Sequence, residues 1–210
     1  INYGMDTSTE GRMVMKNILL VTEAGLGHGE TPIFPIQIFR VKEGINYNPG
    51  DPNYDLFKLS CRVSAKRLFP NFSFQDAPYN LQYYKGTPET EISYMGCRTR
   101  VIGNVYDPTK EVSNGRGNLS FTSINLPRIA IEANKNIDWF FRELDSKINL
   151  VIDQLLERFK IQAKKKVHNY PFLMGEGVWI DSDKLDINDE VGEILKHGTL
   201  SVGFIGLAET

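Results

Sequence analysis

The residue in this chain best placed for unusual chemistry is Cys97, in Ser93-Tyr-Met-Gly-Cys-Arg-Thr-Arg-Val101. A glycine before the thiol lets the backbone turn sharply or a ligand approach closely, and Arg98 and Arg100 follow, so the segment reads as a tight tip with positive charge beside a sulfur. Such a setting can depress a thiol pKa and make a nucleophile, but no histidine is near in sequence to serve as base, and a cysteine hydrolase is not supported. On spacing alone, a packing role for Cys97 is equally open. The other cysteine, Cys61, falls between Leu59 and Val63 on an amphipathic stretch and reads as a small buried packing residue. The two are far apart and form no C-x-x-C pair, so neither a disulfide framework nor a zinc site can be read from them.

A second group of interest is Gly115-Arg-Gly-Asn-Leu-Ser-Phe-Thr-Ser-Ile-Asn-Leu-Pro127. In a strand, alternate residues share a face, so Asn118, Ser120 and Thr122 would point one way while Leu119 and Phe121 point to the core. That face could line a hydroxyl-rich ligand such as a ribose, or it could simply be solvated. Gly25-Leu-Gly-His-Gly29 invites a phosphate-loop reading, but a helix precedes it and a strand follows, the reverse of what a phosphate at a helix N-terminus needs. A plain helix-to-strand turn is the better reading. His28, His168 and His197 occupy separate segments with no spacing that puts two on one face, so no metal site is expected. His197 and the Lys164-Lys165-Lys166 run are explained by helix C-termini, where cations are favoured.

Elements must position these groups. Helical periodicity covers 9–24, closed by Gly25, and 55–68, before Pro70. β-branched and aromatic residues make 32–41 a strand, followed by a Gly/Asn/Pro loop over 44–52 and another extended run at 71–77. Extended stretches at 91–102 and 118–131 flank a turn-rich excursion at 103–117. The longest helix covers 137–167, with Ile137, Phe140, Phe141, Leu144, Ile148, Val151, Ile152, Leu155, Leu156 and Phe159 as a continuous apolar face suited to the outside of a sheet. A short helix at 189–196 leads to a strand at 200–205 that reads as buried. Alternating helices and apolar strands indicate an α/β layer or barrel.

Composition bounds the rest. The chain has 210 residues, 41% hydrophobic and 24% charged, enough for a real core. Its formal net charge of -2 supplies no general basic field for nucleic acid, so a phosphate-bearing partner would be a small nucleotide held by local donors. Apolar stretches fall short of the roughly 20 residues of a membrane span, and a reducing cytoplasm suits the cysteine usage. An isoleucine at position 1 and an apolar segment running up to Thr210 read as cuts in a longer chain.

Several segments together carry a resemblance. Thr31-Pro-Ile-Phe-Pro-Ile-Gln-Ile-Phe39, Lys42-Glu-Gly-Ile45, Asp51-Pro-Asn-Tyr-Asp-Leu-Phe57, Met95-Gly-Cys-Arg-Thr-Arg-Val101, Arg116-Gly-Asn-Leu-Ser-Phe-Thr122, Ile124-Asn-Leu-Pro-Arg128 and Gly198-Thr-Leu-Ser-Val-Gly-Phe-Ile-Gly-Leu-Ala-Glu209 resemble, in order, the central region of the anaerobic (class III) ribonucleoside-triphosphate reductases. The resemblance implies that 1–210 is one partial domain of a ten-stranded α/β barrel, with a finger loop at about 91–125 carrying Cys97 at its tip and the 137–167 helix outside. It also implies a glycyl-radical enzyme. Cys97 would become a thiyl that abstracts the 3′ hydrogen of a ribonucleoside triphosphate, formate would be the reductant, and Asn118 would hydrogen-bond the ribose. Ser120, Thr122 and Arg98 would contact substrate. A radical-SAM activating enzyme, a homodimer, a structural zinc and nucleotide effectors are implied for the parent protein. The family's effector region, second active-site cysteine, four-cysteine zinc site and glycyl-radical loop have no counterpart here, and Cys61 matches no catalytic position. The chain alone is therefore expected to be inactive, with exposed sheet edges. Another glycyl-radical barrel, or a non-catalytic nucleotide-binding module, are the competing expectations.

Overall fold

The computed structural model describes residues 1–96 and 99–210. The chain divides into two compact units: Ile1–Asn104 with Pro108–Asn114, and Val105–Asp107 with Gly115–Thr210.

The first unit is built on a parallel sheet of β1 (Asn2–Tyr3), β2 (Ile38–Val41) and β3 (Asn71–Phe74), in that spatial order. Helices α1 (Thr9–Ala24) and α2 (Tyr54–Arg67) cover one face, as parallel strands require. Ser8 begins α1 by accepting from the Gly11 N–H, and Gly25 ends it with φ 87°. The core between sheet and helices is Tyr3, Met15, Leu19, Phe39, Val41, Leu56 and Val63, each large aliphatic or aromatic side chain contributing about 1.5–3 kcal/mol on burial. Arg67, at the end of α2, donates to the carbonyls of Glu23, Ala24 and Gly29. Those bonds satisfy the open C-terminus of α1 and hold the Gly25–Gly29 segment as a helix-to-strand turn.

The expected strand at 32–41 is realised only at Ile38–Val41. Pro32 and Pro35 have no N–H to give a ladder, and the chain before Gln37 runs irregularly. Inside the 44–52 loop, Asn46 is fully buried and gives its amide to the carbonyls of Gly4 and Arg40 while accepting from the Lys42 N–H. Asn53 donates to the carbonyls of Gly4 and Asp6 and accepts from Arg12. Two buried amides thus replace strand partners at the end of β1. A four-residue helix α3 (Pro78–Leu81) follows β3, and β4 (Ser93–Met95) pairs antiparallel with β5 (Thr99–Val101).

In the second unit, β6 (Asn118–Asn125) pairs in parallel with β7 (Thr199–Ile205), with a bulge between Asn118 and Ser120. The extended run expected over 118–131 stops at Asn125. There the Asn125 side chain accepts from the Arg128 N–H, and Pro127 sits in the first turn of α4 (Leu126–Ala133), so a cap and a helix-starting proline outweigh the apolar content. Helix α5 (Ile137–Ala163) is capped by Asn136 and ends before the lysine run, short of the expected 167. It lies over β6 and β7, but its apolar face is not uniformly buried: Val151 and Leu155 are enclosed, whereas Ile137, Phe141 and Leu156 are exposed. Strand β7, expected to be buried, leaves Val202, Phe204 and Ile205 exposed, since it has a strand partner on one side only among the described residues. A separate core of Val167, Met174, Trp179, Val191, Ile194 and Leu195 surrounds the short helix α6 (Gly192–Leu195).

The α/β class is therefore realised in parallel strands backed by helices. Among the described residues seven strands occur in three small sheets.

Candidate active site

Cys97 and Arg98, two of the sequence-predicted site residues, lie outside the described residues. The chain that leads to and from them does not. Met95 pairs with Thr99, so β4 and β5, which flank Cys97 and Arg98 in the sequence, form a short antiparallel pair. Gly96 has φ 58°, a conformation that favours glycine, and a Cβ placed there would meet nothing within 4 Å. The tip expected at Cys97 falls outside the described residues; directly before it, Gly96 adopts a turn with open space around it.

Three sets of contacts hold the hairpin. At its root, the buried Glu91 carboxylate lies 2.9 Å from Lys42 Nζ and 3.6 Å from Arg40 Nη1. Desolvation lowers the Arg40 pKa, with Glu91 opposing, and Arg40 Nε is shut from solvent without a hydrogen-bond partner. Desolvation also works against the charge on Lys42, yet its hydrogen bond to Glu91 leaves the pKa raised. On β4, Asn2 donates to the Tyr94 carbonyl at 2.8 Å and accepts from the Tyr94 N–H at 2.9 Å. On β5, Arg100 donates to the Tyr79 carbonyl at 2.8 Å and to Asn80 Oδ1 at 3.2 Å, over the rings of Tyr79 and Tyr83. The guanidinium that the sequence sets beside the thiol is thereby committed to α3. Nothing in the sequence pattern marked Asn2 or Glu91, because their partners are 92 and 49 residues away.

The polar run on β6 is engaged by α5. Arg158 donates to Ser120 Oγ at 3.0 Å, the Thr122 hydroxyl donates to Gln154 at 2.9 Å, and Gln162 donates to the Leu119 carbonyl. Gln154, Arg158 and Gln162 recur every four residues, so they form one polar ridge on the helix. That spacing was a legible sign that the face of β6 carrying Ser120 and Thr122 belongs under a helix. The opposite face carries Phe121, expected in the core but 68% exposed, with Ser123 and Asn125 also exposed. Asn118 begins β6 half-buried, next to the bulge, with its Oδ1 closed off from solvent. The hairpin belongs to the first unit and Asn118 to the second.

Cys61 is exposed on α2 and not a core residue; desolvation still raises its thiol pKa, with bonds from Ser60 and its own backbone opposing. Being protonated at neutral pH, it is a poor nucleophile. His197 is buried, its Nε2 3.2 Å from Asp181 Oδ2 and its ring edge-on to Tyr106, so a carboxylate partner joins the helix terminus in explaining it. No cluster of three or more metal-ligating side chains occurs among the described residues, and none of their helices is long and apolar enough to cross a membrane.

Parallel strands backed by helices, with a short antiparallel pair tied to one sheet, define a mixed α/β architecture. The family model described as anaerobic ribonucleoside-triphosphate reductase matches residues 1–210, and the chain belongs to that family. It is 35% identical over 211 residues to the anaerobic ribonucleoside-triphosphate reductase of Haemophilus influenzae and 34% identical to that of Escherichia coli, covering 99% of this chain and 28% of each relative. The protein of that name from Enterobacteria phage T4 is 32% identical over 216 residues, covering all of this chain and 35% of the relative. The chain thus spans about a third or less of the relatives it matches.

Proposed function

We propose that the protein to which this chain belongs reduces ribonucleoside triphosphates to 2′-deoxyribonucleoside triphosphates without oxygen, with Cys97 carrying the substrate radical. The observation that carries the reading is the antiparallel pairing of β4 with β5, which flank Cys97 in the sequence, with the left-handed Gly96 directly before it; such an arrangement suits a sulfur offered at an apex. Family membership over the whole chain supports the reaction class.

In this reading, a glycyl radical elsewhere in the full-length protein supplies the oxidising equivalent. Cys97 gives up its S–H hydrogen atom and, as a thiyl, takes the 3′ hydrogen of the ribose. The 2′ hydroxyl then leaves as water after protonation, and formate supplies two electrons as it is oxidised to carbon dioxide. Hydrogen exchange between sulfur and a ribose C–H needs alignment more than charge, so positioning dominates. Asn118 is proposed to hydrogen-bond the ribose and Arg98 to contact substrate, with Ser120 and Thr122 contributing from β6 through their bonds to Arg158 and Gln154. The ten-stranded barrel, homodimer, radical-SAM activating enzyme, structural zinc, nucleotide effectors and cytoplasmic setting belong to the same proposal.

The test compares Cys97→Ser with Cys61→Ser in the full-length protein, activated anaerobically and assayed with ribonucleoside triphosphates and formate. Cys97→Ser is expected to abolish turnover while Cys61→Ser stays within about twofold of wild type, as a surface substitution should. An active Cys97→Ser enzyme would end the assignment.

A further inference from the structure

We propose that Asn2 is a positioning residue for this reaction, gripping β4 in one register three residues ahead of Cys97 in the sequence. The inference rests on the reductase reading and names a residue 95 positions upstream of the sulfur.

Along one strand of an antiparallel hairpin, successive residues turn their N–H and C=O alternately toward the partner strand and away from it. Tyr94 sits opposite Arg100, and both of its backbone groups are taken by Asn2, at 2.9 Å for the N–H and 2.8 Å for the carbonyl. A carboxamide is a side chain that offers a donor and an acceptor side by side in one plane, as a peptide group does, so Asn2 acts as a one-residue strand added to the outer edge of β4. A slip by one residue would face Asn2 with Ser93 or Met95, whose backbone groups point across to β5; the next register that matches lies two residues away, a shift of about 6.6 Å. Cys97 follows Tyr94 by three residues, about 10 Å of chain. The clamp therefore sets the register of β4, just ahead of Cys97 in the sequence, in coarse, well-separated steps.

Asn2 is itself fixed. Its backbone pairs in register with Ile38 of β2, and the Ile38 N–H donates to the Ile1 carbonyl at 2.8 Å. The other moorings serve differently. Arg100 ties β5 to α3, where the fully buried Asn80 donates to the Phe74 carbonyl at the end of β3. Glu91 ties the root to Arg40 on β2 and to Lys42 just beyond it. The hairpin is thus moored to all three strands of the sheet. Arg100, Arg40 and Lys42 reach on long flexible stems and can follow a small displacement. Asn2 has a short side chain with two bonds to one residue and cannot.

The experiment uses the full-length enzyme, activated anaerobically, with Asn2→Ala and Asn2→Asp. Asn2→Asp keeps the acceptor for the Tyr94 N–H but sets a carboxylate against the Tyr94 carbonyl. Asn2→Ala is expected to lower kcat by about 10- to 100-fold, the scale of a misplacement near 1 Å. KM should stay within about twofold, as for an interaction felt only in the transition state, and the glycyl-radical signal per folded enzyme should be unchanged. The isotope effect with 3′-deuterated substrate should rise, and the peptide containing Tyr94 should lose hydrogen-exchange protection. Asn2→Asp should fall between Asn2→Ala and wild type. A kcat within twofold of wild type in Asn2→Ala, with Tyr94 freed to exchange, would overturn the inference, as would a loss of kcat that only tracks the loss of folded protein. Inactive wild-type enzyme would instead sink the reductase reading and this inference with it.

Discussion

Tyr3 shows how a single residue ties the sheet to its helices. Its buried hydroxyl donates to Gln37 Oε1 at 2.7 Å, Gln37 donates to the Thr22 hydroxyl, and Thr22 donates to the Ile18 carbonyl, so the core carries a polar thread in which each donor has an acceptor. Desolvation raises the Tyr3 pKa well above the ordinary phenol value. The folded state thus keeps a proton that the unfolded chain releases above pH of about 10. Stability from this group is fully present below that pH and falls above it by about 1.4 kcal/mol per pH unit until the folded-state phenol ionises. Tyr3→Phe should therefore cost about 1–2 kcal/mol at neutral pH, from the lost bond and the stranded Gln37 oxygen, while flattening the alkaline limb. Urea midpoints at pH 8 to 11 for both proteins measure this; parallel limbs would refute it.

At the scale of elements, the junction of β6 and β7 is the most constrained. A Cβ on Gly198 would lie 2.7 Å from Leu119 Cγ and 3.1 Å from the Gly117 carbonyl, and Leu119 is the residue inside the bulge that follows Asn118. Bulges re-aim neighbouring side chains, so the close approach at Gly198 helps set where Asn118 points. Gly198→Ala is expected to destabilise by about 1–3 kcal/mol through overpacking and to reduce turnover of the full-length enzyme. Val202→Ala, at an exposed position of β7, the strand that follows Gly198, should leave both nearly unchanged. Equal effects of the two would show that β7 tolerates side chains at Gly198.

At the scale of the whole chain, the apolar surface is large for its size. Phe34, Leu68 and Ile131 are each more than three-quarters exposed, and β6 and β7 add exposed Phe121, Phe204 and Ile205. Of these, Phe121 and Ile205 lie on one face of the β6–β7 pair; exposed apolar patches and strand edges with unpaired backbone groups both favour association. The 210-residue chain alone is expected to self-associate, with a light-scattering mass that climbs with concentration above 23.9 kDa. A constant monomer mass across the concentration range would contradict this.

How much of this was legible in the sequence follows from distance along the chain. Local signals were sufficient for α1 with its glycine stop, for α2, for most of α5 and for the turn at Gly96, because caps, periodicity and left-handed glycines act within a few residues. The α/β class and the likeness to a reductase family also came from the sequence, through motifs in order. Tertiary structure decided which face each strand shows and what holds the hairpin. Ser120 and Thr122 face α5 because a polar ridge lies there, and Phe121 faces outward because strand alternation then leaves it no core. Asn2, Glu91 and Arg40 became part of the site only when the chain closed on itself, since hydrogen bonds and ion pairs across tens of residues leave no local pattern to read.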